Sequence, residues 1–289
     1  MRALVAVVDA GTFTDAAIDL GRSQASVSRA VAALERGVGA RLLHRGPREV
    51  TLTPTGAEVL ASARRVLAEV DAIAQATSGV PWQLRVGYAW SAVGQHTTSV
   101  QERWAERHPG SELLFVRSGT ATAGLVEGVA DCSVLRRSPD DDRVELTLVG
   151  SEPRYAAVAT SDPLARRRTL GLSDLAGRTV AVDERTGTTT PGLWPSSAAP
   201  TTTRAVHGVE DWLTLIASGR AVGVTAEATV RQHPRPGVAY RRVRDAPPLP
   251  VWLAWLRGAP PPGVRDLLQL LSEAYGSSRT TPLTDVAPT

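Results

Sequence analysis

Apolar residues in the N-terminal part of the chain recur at every third or fourth position in three short stretches, a spacing typical of amphipathic helices. The first stretch ends at Gly11, since glycine readily adopts the left-handed conformation found at helix C-termini. The second begins at Thr12, whose T-x-x-D spacing to Asp15 predicts a capping box and a helix from Phe13 to Leu20. The third follows a turn at Gly21. Three short helices joined by a glycine-containing turn predict a helix-turn-helix.

Two short strand-like pieces around a Gly46-Pro47 turn come next, and they predict a wing beside the helices. Thr53 and Pro54 then fit the N-cap and first position of a long Ala-rich helix that runs to about Ala76. Residues 77–81 combine small residues with glycine and proline, a composition typical of a linker.

The long helix carries an apolar stripe that includes Leu60 and Leu67. A lone helix with such a stripe needs a partner, so we expect it to pair with the same helix of a second chain through these two leucines. Packing of the stripe on its own domain is the alternative.

Beyond residue 81, strand-like and helix-like stretches alternate almost to the end of the chain. A strand is expected at Leu84–Tyr88, a helix around Val100–Arg107, a second strand at Glu112–Val116 and the end of a helix at Gly124–Gly128. Such alternation predicts a mostly parallel sheet covered by helices. The expected fold class is therefore α/β multidomain, with a winged helix-turn-helix and a long linker helix before the α/β part.

Composition narrows the class of protein further. With 289 residues, 43% of them apolar and 21% charged, the chain is expected to form two or three globular domains, and its apolar runs are too short to span a membrane. The N-terminus carries no recognisable export signal, so a cytoplasmic location is expected. The single cysteine, Cys132, excludes an internal disulfide and a Cys-rich zinc site, and we expect it to be a buried small hydrophobe and not an oxidant sensor.

Positive charge is concentrated between Arg22 and Arg48, a segment that contains six arginines and only one acidic residue, Glu35. Because this segment overlaps the predicted helix-turn-helix and wing, double-stranded DNA is the expected partner. The histidines are scattered, and the chain lacks a nucleophile elbow, a phosphate loop and a zincin motif. We therefore expect no catalytic residues, no metal and no cofactor.

The order of these residues resembles a known family. Val5–Ala17, Ser23–Arg29 and Leu52–Gly56 follow the N-terminal signature of LysR-type transcriptional regulators almost step for step. His108-Pro109-Gly110 and Gly128–Val134 resemble segments of the family's C-terminal part. The resemblance implies an effector-responsive, DNA-binding transcription regulator that acts as a homodimer or homotetramer.

The resemblance also implies a domain plan. Residues 1–53 would form the winged helix-turn-helix, residues 54–81 the linker and dimerisation helix with a hinge, and residues 82–289 a two-lobed effector-binding domain that resembles periplasmic binding proteins. The family's chain crosses between the lobes twice. We accordingly place lobe I at about 82–159 plus 248–275 and lobe II at about 160–247.

Residues suited to DNA recognition lie at the start of the third helix and on the wing. A recognition helix needs short polar groups at its N-terminal end and longer donors one turn on, and Ser23, Gln24, Ser28 and Arg29 meet that need. Gln24 can pair with adenine, and Arg29 can read guanine or bind a phosphate. On the wing, Arg45 and Arg48 are expected near the backbone or the minor groove. Each of these residues can instead be an ordinary solvated side chain.

Candidate effector-binding residues follow the predicted strands, because ligands of open α/β folds bind outside the carboxyl ends of strands, where helix N-termini point amides at anions. The candidates are Trp90, Ser91, Ser118 and Thr120 in the first lobe, and Thr188 and His207 in the second. Together with helix N-termini, these residues can bind an organic acid without a fully buried positive side chain. An aromatic acid could also stack on Trp90. Each hydroxyl can instead cap its own helix.

Two other functions stay open at this point. A periplasmic solute-binding protein would share the C-terminal fold, but the preceding winged helix and the missing export signal oppose it. A ligand-independent DNA-binding protein, whose C-terminal domain serves only assembly, is the second alternative.

Overall fold

The computed structural model describes residues 1–45, 50–78, 82–195 and 199–277 of the chain. They fall into two compact units. The first comprises Met1–Trp82 together with the short segment Leu125–Ala130, and the second comprises Gln83–Gly124 together with the residues from Asp131 onward. The main division thus falls near residue 82, and the short segment Leu125–Ala130 is grouped with the first unit although it lies in the predicted effector-binding domain.

The first unit begins with three short helices and a two-stranded hairpin and continues into a long helix. Its elements are α1 (Arg2–Ala10), α2 (Phe13–Asp19), α3 (Gln24–Val38), β1 (Leu43–Arg45), β2 (Val50–Leu52) and α4 (Pro54–Ser78). Strands β1 and β2 pair antiparallel, as a wing requires. The helix-turn-helix, the wing and the long helix thus follow the order that the sequence predicts.

The ends of the first helices are set by local hydrogen bonds. Gly11 closes α1 in the left-handed region at φ 76°. The hydroxyl of Thr12 accepts a hydrogen bond from the Asp15 amide at 3.1 Å, which satisfies a free N–H of α2. The Asp15 carboxylate accepts from the Thr12 hydroxyl at 2.6 Å, and not from the Thr12 amide as the predicted capping box would require.

Apolar faces of the three short helices meet in one core. Val27 and Val31 of α3 are buried there with Leu4 and Val7 of α1. Leu60 of α4 belongs to the same core and is only 5% exposed. This placement moves Leu60 from the predicted dimer interface to the interior of its own unit, because the first turns of α4 cover the short helices.

The second unit contains two lobes, each built on its own sheet. In chain order its strands are β3 (Trp82–Tyr88), β4 (Ser111–Arg117), β5 (Cys132–Leu135), β6 (Val144–Glu152), β7 (Arg154–Ala159), β8 (Thr169–Leu170), β9 (Thr179–Val182), β10 (Thr202–Ala205), β11 (Gly223–Ala226), β12 (Val238–Val243) and β13 (Leu249–Leu256). Its helices are α5 (Thr97–Arg107), α6 (Val209–Ala217), α7 (Glu227–Gln232) and α8 (Val264–Ser277).

Lobe I is built on a five-stranded sheet in the order β4-β3-β5-β13-β6, and lobe II on a four-stranded sheet, β11-β7-β12-β8, with the pair β9-β10 beside it. The sheets are mixed and not mostly parallel as predicted. Strand β13 runs antiparallel to both β5 and β6, and β7 runs antiparallel to β11 and β12. Strands β7 and β13 each directly follow a crossing between the lobes. No helix lies at either crossing, and a connecting helix is what usually brings the chain back to form a parallel strand.

The first crossing lies earlier in the chain than predicted. Strand β6 ends at Glu152 in the sheet of lobe I, and β7 starts at Arg154 in the sheet of lobe II. Lobe I therefore ends near Pro153 instead of residue 159. The continuous apolar run of β7 does not indicate in which of two sheets it is buried.

The helix expected to end at Gly124–Gly128 is absent, and residues 121–128 form turns. Ala123 has a φ of 51°, and Gly124 and Gly128 have φ values of 86° and 70°. Residues in the left-handed region cannot continue a right-handed helix, so the backbone turns instead.

Candidate functional sites

Helix α3 presents polar side chains to solvent at its N-terminal end. Ser23 caps the helix by accepting a hydrogen bond from the Ser26 amide at 3.2 Å. Gln24 and Arg29 are exposed and Ser28 is partly exposed, whereas Val27 lies in the core. The buried valine fixes the rotation of the helix and leaves the polar residues predicted for DNA recognition exposed or partly exposed.

The arginines around α3 are left with little opposing charge. Arg22, Arg36 and Arg41 are exposed. The carboxylate of Glu35 accepts from the Leu42 and Leu43 amides at 2.9 and 3.4 Å, which ties this acid to the start of the wing. Of the two predicted wing arginines, Arg45 ends β1, with its side chain outside the described atoms, and Arg48 lies outside the described residues.

A cavity of about 400 Å³ lies between the two lobes of the second unit. Four of the six predicted effector residues line it, namely Trp90, Ser91, Thr120 and Thr188. The other two do not: Ser118 lies behind Thr120, with the two hydroxyl oxygens 3.3 Å apart, and His207 is exposed elsewhere on lobe II. We refer to this cavity as the interlobe cleft.

Trp90 joins the two lobes across the interlobe cleft. Its indole N–H donates to the Thr186 hydroxyl at 2.8 Å and to the Asp183 carboxylate at 3.2 Å. Its ring meets Trp212 edge-on, with centroids 5.4 Å apart. The side chain predicted to stack on an aromatic effector is therefore anchored to lobe II.

The hydroxyls in the interlobe cleft form hydrogen bonds within the protein. Ser91 of lobe I donates to the Thr229 hydroxyl of lobe II at 3.2 Å, and Thr225 donates to the same oxygen at 2.8 Å. Thr120 accepts from the Gly124 amide at 2.9 Å, within the turn that replaces the expected helix. No helix N-terminus follows β4 in the described chain, so an anion at Thr120 would meet turn amides.

A buried ion pair that the sequence does not predict lies at the wall of the interlobe cleft. Arg136 donates to both carboxylate oxygens of Glu152, at 2.7 and 3.1 Å, and to the carbonyl oxygens of Ser91 and Ala92, each at 2.7 Å. Glu152 also accepts from the Tyr275 hydroxyl at 2.7 Å and from the Ala228 amide at 3.1 Å. This arrangement connects lobe I, helix α7 of lobe II and the last helix α8.

Both groups of the pair stay charged. Burial alone would raise the pKa of Glu152, but the charge of Arg136 and the hydrogen bonds that Glu152 accepts hold the pKa below its usual value. Burial likewise opposes the charged form of Arg136, and Glu152 outweighs it, so that the pKa of Arg136 is raised. Arg136 directly follows β5, so the strand-end rule that selected Trp90 would also have selected it. Nothing in the sequence marks Glu152 as its partner.

Asp183 is a second buried carboxylate that was not predicted. It accepts from the amides of Arg185, Thr186 and Gly208, between 3.0 and 3.1 Å, besides the contacts to Trp90 and the Thr186 hydroxyl. Burial raises its pKa, but these hydrogen bonds more than compensate and leave the pKa lowered. Asp183 is therefore an ionised group that organises the lobe II side of the interlobe cleft.

Cys132 is fully buried in β5, and burial raises the pKa of its thiol well above the usual range. A buried thiol with a raised pKa is a poor nucleophile, as expected for a structural cysteine.

Within the described ranges, His, Cys, Asp and Glu nowhere form a group of three that could hold a metal ion. None of the helices in the described part of the chain is both long enough and apolar enough to cross a membrane.

Comparison with known proteins assigns both parts of the chain. Residues 1–57 match the family described as "Bacterial regulatory helix-turn-helix protein, lysR family", and residues 78–276 match "LysR substrate binding domain". A "Probable hydrogen peroxide-inducible genes activator" of Mycobacterium avium is 34% identical over 182 residues, which cover 61% of this chain and 58% of that protein. The chain thus spans less than two thirds of that relative. The transcriptional regulator TfdS of Cupriavidus pinatubonensis is 29% identical over 293 residues, 96% of this chain and 98% of that protein.

Solved structures agree on the fold. A crystal structure of CbnR, a LysR family transcriptional regulator, superposes with a TM-score of 0.69 at 23% identity, covering 97% of this chain and 98% of that one. CbnR complexed with its target DNA gives a TM-score of 0.68 at 22% identity, covering 94% and 98%. These relatives bear the names of transcriptional regulators and not of enzymes. The chain belongs to the LysR family of bacterial regulatory helix-turn-helix proteins.

Proposed function

We propose that the chain is a sequence-specific DNA-binding transcription regulator whose promoter binding is modulated by a small effector, an organic acid, in the interlobe cleft. The observation that carries the proposal is that residues of both lobes line the same cavity of about 400 Å³. A ligand that contacts both lobes favours one of their relative orientations, and that preference is what an effector needs in order to act.

The DNA-binding part of the proposal rests on α3. The first two turns of this capped helix carry Gln24, Ser28 and Arg29 at exposed or partly exposed positions, from which side chains can reach base edges in the major groove. The exposed arginines nearby supply the sequence-independent attraction to phosphates. Among the similar structures, CbnR is described as complexed with its target DNA. Since the partner is promoter DNA, we place the protein in the bacterial cytoplasm.

The effector part rests on the lining of the interlobe cleft. Hydroxyls of Ser91 and Thr120 offer hydrogen bonds, and the exposed side chains of Arg137 and Arg185 lie at the cavity. The ionised Asp183 opposes an anion on the lobe II side, so we expect the acid group to lie toward Thr120 and the body of the effector toward Trp90. The cavity volume fits a small metabolite.

A second candidate is a regulator that uses the C-terminal domain only for assembly. The observation in its favour is that Trp90 and Ser91 already have partners within the protein, Asp183, Thr186 and Thr229. Contacts of this kind can hold two lobes in one orientation without any ligand.

One titration experiment separates the two candidates. Benzoate, adipate and similar acids are added to the full chain while tryptophan fluorescence and the footprint on DNA upstream of its own gene are recorded. We expect at least one acid to change both signals and the response to weaken in the Ser91→Ala, Thr120→Ala double variant. Ser218→Ala is the matched control, because Ser218 is exposed and does not line the interlobe cleft.

An undiminished response in the double variant would place the effector elsewhere. A footprint that no bound acid alters would favour the assembly-only candidate.

A further inference from the structure

One short stretch of chain connects the interlobe cleft with the first unit. Residues 121–130, which we call the linking segment, directly follow Thr120 in the lining of the cleft. The second part of the segment, Leu125–Ala130, belongs to the first unit, and the chain returns to the second unit at Asp131. A movement at Thr120 therefore has a covalent path into the unit that carries the helix-turn-helix.

Thr120 holds the start of the linking segment. Its hydroxyl accepts a hydrogen bond from the Gly124 amide at 2.9 Å, and its carbonyl oxygen accepts from the Ala123 amide at 3.0 Å. Ala123 is fully buried at a φ of 51°, a conformation that residues other than glycine keep only where their surroundings impose it. Thr120 thus lines the cleft and also holds a strained turn in place.

The far end of the linking segment packs tightly against α4. Gly128 has a φ of 70°, and a Cβ atom added there would lie 2.6 Å from the Ala61 carbonyl oxygen and 3.2 Å from the Arg64 Cβ. Both the backbone conformation and the space require glycine at this position. Because closely packed groups transmit a displacement instead of absorbing it, a shift of Gly128 must also move α4.

Two arginines of α4 bind the same end of the segment. Arg64 donates to the Glu127 carbonyl oxygen at 3.5 Å, and Arg65 donates to the Val126 carbonyl oxygen at 3.4 Å. Arg64 also forms an ion pair with Asp9 near the end of α1. The Arg64 side chain therefore contacts the linking segment and the first helix of the helix-turn-helix domain at the same time.

We propose that the linking segment transmits occupancy of the interlobe cleft to the helix-turn-helix, with Gly128 and Arg64 as positioning residues. This inference rests on the proposed function and specifies how its effector site regulates DNA binding. An acid group that accepts a hydrogen bond from the Thr120 hydroxyl draws this hydroxyl away from the Gly124 amide. The strained turn then relaxes, and the shift reaches α4 at Gly128 and α1 through Arg64.

Hydrogen exchange of the full chain, without any ligand, tests the first step. Thr120→Val removes the acceptor of the Gly124 amide at nearly constant side-chain shape. We expect faster amide exchange in residues 61–67 of α4 and in α1, and a change of about fivefold in affinity for DNA upstream of its own gene. Thr97→Val is the matched control, because its hydroxyl makes a 2.9 Å hydrogen bond to Gly94 in another turn of lobe I. Faster exchange confined to residues 121–124 would overturn the proposal.

Gly128→Ala tests the contact with α4. The added methyl group cannot fit while the segment keeps its place on α4, so Thr120→Val should change neither α4 exchange nor DNA affinity in this background. Gly258→Ala is the control for backbone strain, since Gly258 has a φ of 72° in open space. Circular dichroism shows whether each variant is folded. An effect of Thr120→Val that persists undiminished beside Gly128→Ala would contradict the proposed path.

A final measurement separates this proposal from the proposed function. Arg64→Gln should bind benzoate as tightly as the unaltered protein, by tryptophan fluorescence, but lose the change in DNA footprint. Arg65→Gln should keep both, because Arg65 bonds to Val126 and Ser62 and not to α1. A full footprint response in Arg64→Gln would remove Arg64 from the path. The Thr120→Val measurements use no ligand, so they decide the role of the linking segment even if the cleft binds no acid.

Discussion

We expect Gln24 and Arg29 to read DNA bases, since both are exposed on the first two turns of α3. Replacing either by Ala should relax sequence preference, with about 1 to 3 kcal/mol of discrimination lost for each bidentate contact removed. Competition between the operator and a scrambled duplex measures this loss.

Arg36→Ala provides the control, because an exposed arginine at the other end of α3 is expected to weaken binding to all sequences alike. If both Gln24→Ala and Arg29→Ala discriminate as well as the unaltered protein, α3 is not the recognition helix.

Glu152 should make the free energy of unfolding depend on pH in the acidic range. Its pKa in the folded state lies below the usual value of 4.5, so its contribution is fully present above about pH 4.5 and is lost as the pH falls through the folded-state value. Urea unfolding of the full chain at a series of pH values measures this effect.

The variant Glu152→Gln should lower the free energy of unfolding at neutral pH by about 3 to 5 kcal/mol, because Arg136 would stay buried and charged without its partner. It should also reduce the acid dependence. Glu145→Gln, an exposed position on the same strand, should change neither quantity. Equal acid dependence in the two variants would contradict the role given to the buried pair.

Helix α4 packs against the core of its own unit near its start and exposes apolar side chains further along. Leu60 is buried in its own unit, Leu67 is partly exposed, and Val66 and Val70 are 44% and 46% exposed. We therefore expect α4 to pair with its copy in a second chain through Val66, Leu67 and Val70. Val66→Glu with Val70→Glu should give monomers in sedimentation experiments, since two charges would be buried in the interface.

Glu58→Lys, an exposed change of charge near the start of the same helix, should leave the oligomer intact. An unchanged oligomer in the double valine variant would locate the interface elsewhere.

The ends of the helices could be predicted from the sequence wherever a capping residue marks them. Gly11, Thr12 and Ser23 each occupy the helix end that their chemistry favours. The turn at residues 121–128 does not follow from the sequence, because Ala123, which has no intrinsic preference for positive φ, adopts it there. Tertiary contacts decide such a conformation, and a single sequence does not display them.

At the scale of the whole molecule, the resemblance to the LysR family implied two lobes in the C-terminal part, but the sequence pattern did not locate their borders. Strand β7 is buried along its whole length, and only its pairing with β11 and β12 assigns it to lobe II. The residues that line the interlobe cleft were likewise predicted only in part. Strand-end loops supplied Trp90, Ser91, Thr120 and Thr188, whereas the Arg136–Glu152 pair joins residues 16 positions apart on neighbouring elements. Long-range partners of this kind leave no local pattern.

The position of β13 has a consequence for how the chain is made. This strand is among the last elements in sequence, yet it lies between β5 and β6 inside the lobe I sheet. While the ribosome is still translating lobe II, β5 and β6 have no strand between them, and their open edges can pair with other chains. Lobe II, whose strands are contiguous in sequence, can fold first. The lobe that begins the domain is thus the last to be completed, and a chain truncated before Leu249 would be left with the exposed strand edges on which aggregation starts.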